Sequence, residues 1–283
     1  LSYRADSAAQ AITLSGISSG TASGSVLNNA TDSFTGLEAI VGGSGTGDTI
    51  TSTSAAEALI VTGANAGTID GFSFSGVESV DLGAGNDSGT INTGGSLSGS
   101  LTFGSGTDTL TYASYGSAVS ASLSGTNTLT SITAISGGVT GVDNLTLSSS
   151  NDTLTVGSSG SLSGNLDFGA GSDTLSYAGN SNAITVSLNG PTSTAAAGAT
   201  GITGTTTGFE TLIGGSGSSD ILNATSGANA VSVASNGTTT LDTNLTVSAF
   251  ETINLGANSD ASADTATISG AFSGTMDLGD GAD

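Results

Sequence analysis

The chain has 283 residues, among them 46 glycines, one proline, and neither cysteine nor histidine. Its 23 acidic residues face a single basic one, Arg4, for a formal charge of −22. With nothing to neutralise phosphates, this balance argues against nucleic acid and anionic membranes as partners, and the missing Cys and His rule out disulfide frameworks, thiolate sites and histidine-held zinc.

No uninterrupted apolar run is long enough to span a bilayer as a helix, so no membrane insertion is expected. Apolar residues make up 35% of the chain and are patterned, which opposes the disorder that its glycine content would otherwise suggest. The acids sit mainly at turns. Carboxylates gathered without basic partners repel one another, and bound divalent cations or, more weakly, bulk counterions relieve that.

Read along the chain, short apolar alternations lead into turns that end in an acid. Gly36-Leu37-Glu38-Ala39-Ile40 comes first, followed by turn-like acids at Asp48 and Asp70. Gly76-Val77-Glu78-Ser79-Val80 repeats that element, and Val80 and Leu82 run into Gly83-Ala84-Gly85-Asn86-Asp87. Leu101 and Phe103 precede Gly104-Ser105-Gly106-Thr107-Asp108. After Gly141-Val142-Asp143-Asn144-Leu145 comes Ser148-Ser149-Ser150-Asn151-Asp152, a copy of the turn that has lost its glycines. Leu166 and Phe168 lead into Gly169-Ala170-Gly171-Ser172-Asp173, then Gly208-Phe209-Glu210-Thr211-Leu212, Asp220 and Asp242 follow. Ile253 and Leu255 precede Gly256-Ala257-Asn258-Ser259-Asp260, and Met276 and Leu278 precede Gly279-Asp280-Gly281-Ala282-Asp283.

Asp87 and Asp108 are 21 residues apart, as are Asp152 and Asp173. With the turn-like acids between them, successive corners fall roughly 17 to 25 residues apart, inside the period range of solenoids. A longer period overlies the short one: Gly36 to Gly45 returns as Gly208 to Gly217, Val77 to Gly83 as Phe250 to Gly256, and Leu1-Ser2-Tyr3 as Leu175-Ser176-Tyr177. These registers predict a unit spanning 36–207 with a second copy beginning at 208, built from about eight coils of about 21 residues. The prediction is a single continuous structure over 1–283, part of a longer repetitive protein.

Alternation with period two predicts strands buried on one face, and the density of glycine, serine and threonine disfavours helices. The connections are too short for crossover helices. The fold class expected is therefore all-β, a parallel β-solenoid (β-helix or β-roll), each strand pairing with its equivalent one coil away at about 4.8 Å. Glycines supply positive φ and close backbone approach at the corners. In the Gly-apolar-acid elements the acid is expected to point outward or to cap the backbone rather than to bind metal.

The glycine-rich Asp turns, together with Asp173-Thr174-Leu175-Ser176-Tyr177-Ala178-Gly179, Ile184-Thr185-Val186-Ser187-Leu188 and Gly208-Phe209-Glu210, resemble the hemolysin-type (RTX) calcium-binding repeats of secreted bacterial proteins. The resemblance implies a parallel β-roll whose Asp carboxylates and turn carbonyls bind Ca2+ between neighbouring coils. Carried onto this sequence, the implied metal ligands are Asp48, Asp87, Asp108, Asp152, Asp173, Asp220, Asp260 and Asp283. The sequence departs from the family in having one turn per coil rather than tandem nonapeptides. One carboxylate per coil satisfies the six to eight oxygens calcium takes only with carbonyls, neighbouring coils or water, and an ordinary Asx-type turn explains each Asp equally well.

Catalysis is not expected, because the usual triads and thiol sites cannot be assembled and repeated carboxylates lack the two dissimilar environments of acid–base work. The function expected is a non-catalytic, calcium-stabilised structural protein, secreted to the bacterial cell exterior as part of a surface layer, filament or matrix fibre, assembling with copies of itself. The alternatives are the stalk or binding section of a large adhesin, with cell-surface or glycan contacts, and the secretion-linked calcium module of an exported enzyme or toxin.

Overall fold

The computed structural model describes residues 2, 7–16, 21–26, 30–34, 38–189, 195–224, 228–242, 244–256 and 263–279. The described residues are all-β, without a helix, and form two compact units: Leu1–Ala121 with Asn127–Ser149, and Ser122–Thr126 with Ser150–Asp283.

In the first unit, one sheet is ordered β3 (Ala30–Phe34), β2 (Thr21–Val26), β1 (Ala11–Gly16), β5 (Thr49–Thr51), β9 (Ser79–Asp81), β11 (Leu101–Thr102), β15 (Val139–Thr140) and β14 (Thr128–Ile132). The other is ordered β4 (Ala39–Val41), β8 (Phe72–Ser75), β7 (Ala66–Ile69), β6 (Ala58–Gly63), β10 (Ser88–Ile91), β12 (Thr109–Thr111) and β16 (Asn144–Thr146). From β4 to β12 the chain alternates between the two sheets, apart from the return through β7 and β8. Most neighbours pair in parallel.

The second unit repeats the plan. One sheet is ordered β13 (Ser120–Gly125, which enters this unit at Ser122), β17 (Thr153–Val156), β19 (Thr174–Ser176), β23 (Thr211–Ile213), β27 (Leu245–Ser248), β26 (Thr239–Leu241), β25 (Ala230–Val233) and β29 (Thr265–Ile268). The other is ordered β18 (Leu166–Asp167), β22 (Thr206–Thr207), β21 (Ala195–Ala199), β20 (Thr185–Leu188), β24 (Ile221–Asn223), β28 (Thr252–Asn254) and β30 (Thr275–Asp277).

Inward residues stack into ladders along each sheet. Ile12, Ile50, Val80, Leu101 and Val139 are successive register partners in the first unit, and Leu154, Leu175, Leu212 and Val247 in the second; all are buried. Each such side chain contributes roughly 1.5–3 kcal/mol by leaving water. Gly89 lacks a side chain in the middle of β10 for a packing reason: a Cβ there would lie 2.8 Å from the Phe103 ring.

The spacing differs from a uniform coil of about 21 residues. Asp87 and Asp108, and Asp152 and Asp173, are stacked partners 21 residues apart, and β28 and β30 pair at 23, but other stacked partners lie 30 to 40 residues apart. The cause is antiparallel insertion into one sheet: the three-stranded meanders β1–β2–β3, β6–β7–β8, β20–β21–β22 and β25–β26–β27, and, between Asp108 and Asp143, the antiparallel pair β14–β15. At β6 the chain skips two strand positions beyond β4, then fills them backwards with β7 and β8 before returning to β9. The long sequence period therefore spans coils of two lengths and is not eight equal ones.

The corner glycines are conformationally required. Gly104 has φ of 84°, and a Cβ on it would lie 1.5 Å from the Gly83 carbonyl oxygen of the neighbouring turn. Gly179 has a similar φ of 88° but nothing within 4 Å of that position. Gly179→Ala is expected to cost about 1–2 kcal/mol for its backbone conformation alone. Gly104→Ala adds a backbone clash and is expected to cost at least about 3 kcal/mol, a difference that urea titrations of the two variants measure.

Candidate functional site

The predicted site residues within the described structure lie at the corners, immediately before strands, and they are buried. Asp48, Asp108, Asp173 and Asp220 are fully inaccessible, and Asp87 and Asp152 nearly so, as is Asp264, which the sequence did not point to. Asp260 and Asp283 lie outside the described residues. The single basic residue, Arg4, also lies outside them, so the buried charges are held by something other than ion pairs with described side chains.

The compensation is backbone N–H. Each acid reaches to the neighbouring strand of its sheet and accepts the N–H of the residue at the same corner. In the first unit, Asp48 Oδ1 accepts from Gln10 at 2.7 Å, and Glu78 Oε2 accepts from Asp48 at 2.8 Å. A second stack runs from Glu57 to Asp87 to Asp108 to Asp143: each acid accepts the N–H of the one before it, at 2.8, 2.7 and 2.7 Å. In the second unit, Asp173 accepts from Asp152 at 2.6 Å and Glu210 from Asp173 at 2.8 Å. Asp220 accepts from Ile184 and Glu251 from Asp220, both at 2.8 Å, and Asp264 accepts from Asn229 at 2.6 Å.

The bond is reciprocal along the backbone. The carbonyls of Asp87, Asp108, Asp152 and Asp173 accept N–H groups from the neighbouring strand start, at Thr109, Asn144, Thr174 and Thr211. Carboxylates accepting backbone N–H groups make charge-assisted bonds, stronger than neutral ones.

The Gly-apolar-acid elements have a specific place in this arrangement. Glu78, Asp143 and Glu210 each cap the last buried Asp of a stack, and Glu251, in Ala249-Phe250-Glu251, does the same for Asp220. Asn65 and Asn127 in turn donate to Glu78 and Asp143 at 2.9 and 2.7 Å. The turn-like acids Asp70 and Asp242 have another use. Each sits at positive φ in a meander turn and accepts the N–H that opens the meander, from Ala58 and Ala230.

The carboxylates fall into two classes according to their second oxygen. Asp48 and Asp220 follow the Gly-Gly-Ser-Gly turns, and their Oδ2 atoms accept N–H from Gly43 and Gly215 at 2.5 and 2.7 Å. Asp87, Asp108 and Asp173 follow Gly-x-Gly turns, and their Oδ2 atoms are buried without a hydrogen-bond partner, as is Glu57 Oε2. Burial pushes the Asp87 carboxyl up to about 6, opposed by the Glu57 N–H and reinforced by the charges of Glu57 and Asp70. Burial likewise pushes Asp173 up to about 6, reinforced by the charges of Asp152 and Glu210, and raises Asp108.

This sorting bears on calcium. Among the described residues, no three acidic side chains converge into a group that holds a metal ion. Three implied ligands, Asp87, Asp108 and Asp173, nevertheless each keep one buried oxygen that wants a proton or a cation. Each offers calcium one carboxylate oxygen of the six to eight the ion takes. Asp48 and Asp220 have both oxygens engaged by the backbone and fit it less well.

Two buried tyrosines were not singled out by the sequence reading. Tyr112 and Tyr177 donate from their hydroxyls to the carbonyls of Thr133 and Thr200 at 2.8 Å. Burial raises both phenols above their ordinary range. The sequence signal was the recurring Thr-Leu-x-Tyr after Asp108 and Asp173.

Comparison of the chain with protein-family models, with curated proteins and with solved structures gives no match.

The carboxyl shifts give calcium-free protein a defined pH dependence. The folded-state values of Asp87 and Asp173 lie above the ordinary 3.8, so the folded chain binds more protons than the unfolded one between about 4 and about 6. Their favourable contribution is full below about 4 and is lost as pH rises through about 6. Melts in chelator are expected to give a higher Tm at pH 4.5 than at pH 7.5. Asp87→Asn with Asp173→Asn is expected to flatten the difference.

Proposed function

We propose that the chain is a non-catalytic structural β-solenoid, a scaffold of the bacterial cell exterior such as a surface layer, filament or matrix fibre. The observation that carries this reading is the run of buried carboxylates, each tying one strand start to the next. The recurring acids are thereby occupied in joining successive rungs, an arrangement suited to a stiff stacked body. The two-sheet alternation, the parallel register and the glycine corners support a solenoid running through the chain. The exported location rests on the resemblance to secreted bacterial repeats.

Calcium belongs to the same proposal. Asp87, Asp108 and Asp173 would each give the ion one carboxylate oxygen, and turn carbonyls the rest. When bound, the ion would neutralise carboxylates that otherwise repel inside the fold.

Thermal melts at pH 7.5 in calcium and in chelator test this. A single site with free calcium 100-fold above its Kd adds about 2.7 kcal/mol, so the melts are expected to separate by several degrees. Asp108→Asn and Asp173→Asn are expected to shrink the separation, and Asp220→Asn to lower both melts without changing it. Coincident melts for the parent chain would remove calcium from the proposal and leave the scaffold reading to rest on the stacks.

A further inference from the structure

Four strands open a meander: β1, β6, β20 and β25. The residue just before each gives its N–H to the corner acid of the parallel neighbour: Gln10 to Asp48, Glu57 to Asp87, Ile184 to Asp220 and Asn229 to Asp264. Glu57 is the one acid among the four, and it is 2% exposed. On its other edge β6 pairs antiparallel with β7, so no parallel corner lies there for the Glu57 carboxylate to cap. The side chain stays at its own corner instead. Its Oε1 accepts the Thr53 hydroxyl, and its carboxyl lies within hydrogen-bonding reach of the Asp87 carboxyl.

The counterpart in the second unit has a donor that this contact lacks. Glu57 and Asn229 both precede the first strand of a meander, and the residues after them, Ala58 and Ala230, both donate to a turn acid, Asp70 and Asp242. Asp87 and Asp264 cap the two from the parallel neighbour. Asn229 completes its pair: its Nδ2 donates to Asp264 Oδ1 at 3.2 Å and to the Leu255 carbonyl. An ionised Glu57 has no such proton to give. Its Oε2 and Asp87 Oδ2 are both buried without a hydrogen-bond partner, and the charge of Asp70 adds to theirs at Asp87. Two carboxylates in contact, each with an oxygen withdrawn from water, are costly unless positive charge joins them. At Asp108 and Asp173 the neighbouring carboxylates act through their charge alone.

We propose that Glu57 Oε2 and Asp87 Oδ2 together hold one calcium ion, a two-carboxylate site that the repeated turn by itself does not supply. This rests on the calcium reading and deepens it, naming a ligand from outside the Gly-x-Gly turns and an order of filling. Calcium takes oxygen donors, and its affinity is set by the number of charged ligands and the rigidity of the site. The Glu57–Asp87 pair therefore fills before Asp108 and Asp173, which offer one carboxylate oxygen each. The ion does for Asp87 what the Asn229 amide does for Asp264, linking the acid to the side chain whose N–H it caps.

The test uses the 283-residue chain at pH 7.5, with bound calcium measured by equilibrium dialysis and with melts in chelator. Glu57→Gln keeps an Oε1 for the Thr53 hydroxyl and offers its amide to Asp87 Oδ2, in the manner of Asn229. This variant is expected to bind one calcium fewer than the parent, its tightest step weakened at least about tenfold. In chelator it is expected to melt higher than the parent, because the amide supplies the missing donor. Asp87→Asn should lose the same ion, and the double variant no more than that one. Glu38→Gln, which removes an exposed acid, should leave calcium binding unchanged. Full calcium binding by Glu57→Gln or by Asp87→Asn would overturn the proposal. A parent chain that binds no calcium brings down the calcium reading and this site together. Calcium that Glu57→Gln retains and Asp108→Asn or Asp173→Asn loses brings down this site alone.

Discussion

Much in this molecule follows from one requirement at the acid-bearing corners: the N–H just before the strand needs an acceptor that its own turn does not provide. A buried unsatisfied donor costs about 1–3 kcal/mol, and each unit repeats the situation at several corners. The solution is one carboxylate per corner, borrowed from the neighbouring strand, as in the pairs Glu57–Asp87 and Asp152–Asp173. The acceptor lies on the next stretch of chain, so each strand start is completed only when its successor is in place. Capping thereby ties neighbouring strands together as well as satisfying one group.

The same requirement explains a composition unlike that of an ordinary domain. For a carboxylate to reach the preceding corner, the two turns have to lie almost in backbone contact. The Gly83, Gly85, Gly104 and Gly106 positions have this closeness, with neighbouring carbonyls where a Cβ would be. Only small residues tolerate it, and the core between the corners is correspondingly thin, made of single aliphatic ladders with an occasional Phe or Tyr. The acidity follows too. A stack of acceptors at buried N–H groups is a stack of anions, and with one basic residue in the chain the negative charge is left to the backbone dipoles, to protons and, as proposed, to cations.

Much of this was legible in the sequence, because glycine, aspartate and period-two alternation act locally. The turn at Gly104-Ser105-Gly106-Thr107-Asp108, the strands around it and its stacking on Gly83 to Asp87 follow from residue type and spacing alone. The capping role of Glu78 and Glu210 could be anticipated from an acid placed just before a strand. The meanders could not be. β6, β7 and β8 alternate in the same way as any other strands here, and only long-range pairing decides that β8 returns to β4 while β6 goes on to β10. Nor could the two carboxylate classes be separated beforehand: the distinction rests on whether a second N–H, that of Gly43 or Gly215, reaches Oδ2.

The meanders carry a constraint of their own. Each adds two strands to one sheet, about 9.6 Å at the usual strand spacing, without adding any to the sheet opposite. Such an imbalance repeated on one face would pull the corner acids out of reach of their partners, since a bond of 2.7 Å does not stretch by a strand width. Each unit contains one complete meander in each sheet, β1–β3 against β6–β8 and β20–β22 against β25–β27. The acid stacks change sides with them: Asp48 and Glu78 precede strands of one sheet, Asp87 and Asp108 strands of the other. The alternation is therefore the condition under which a chain with coils of unequal length keeps its carboxylates within hydrogen-bonding distance of the strand starts they cap.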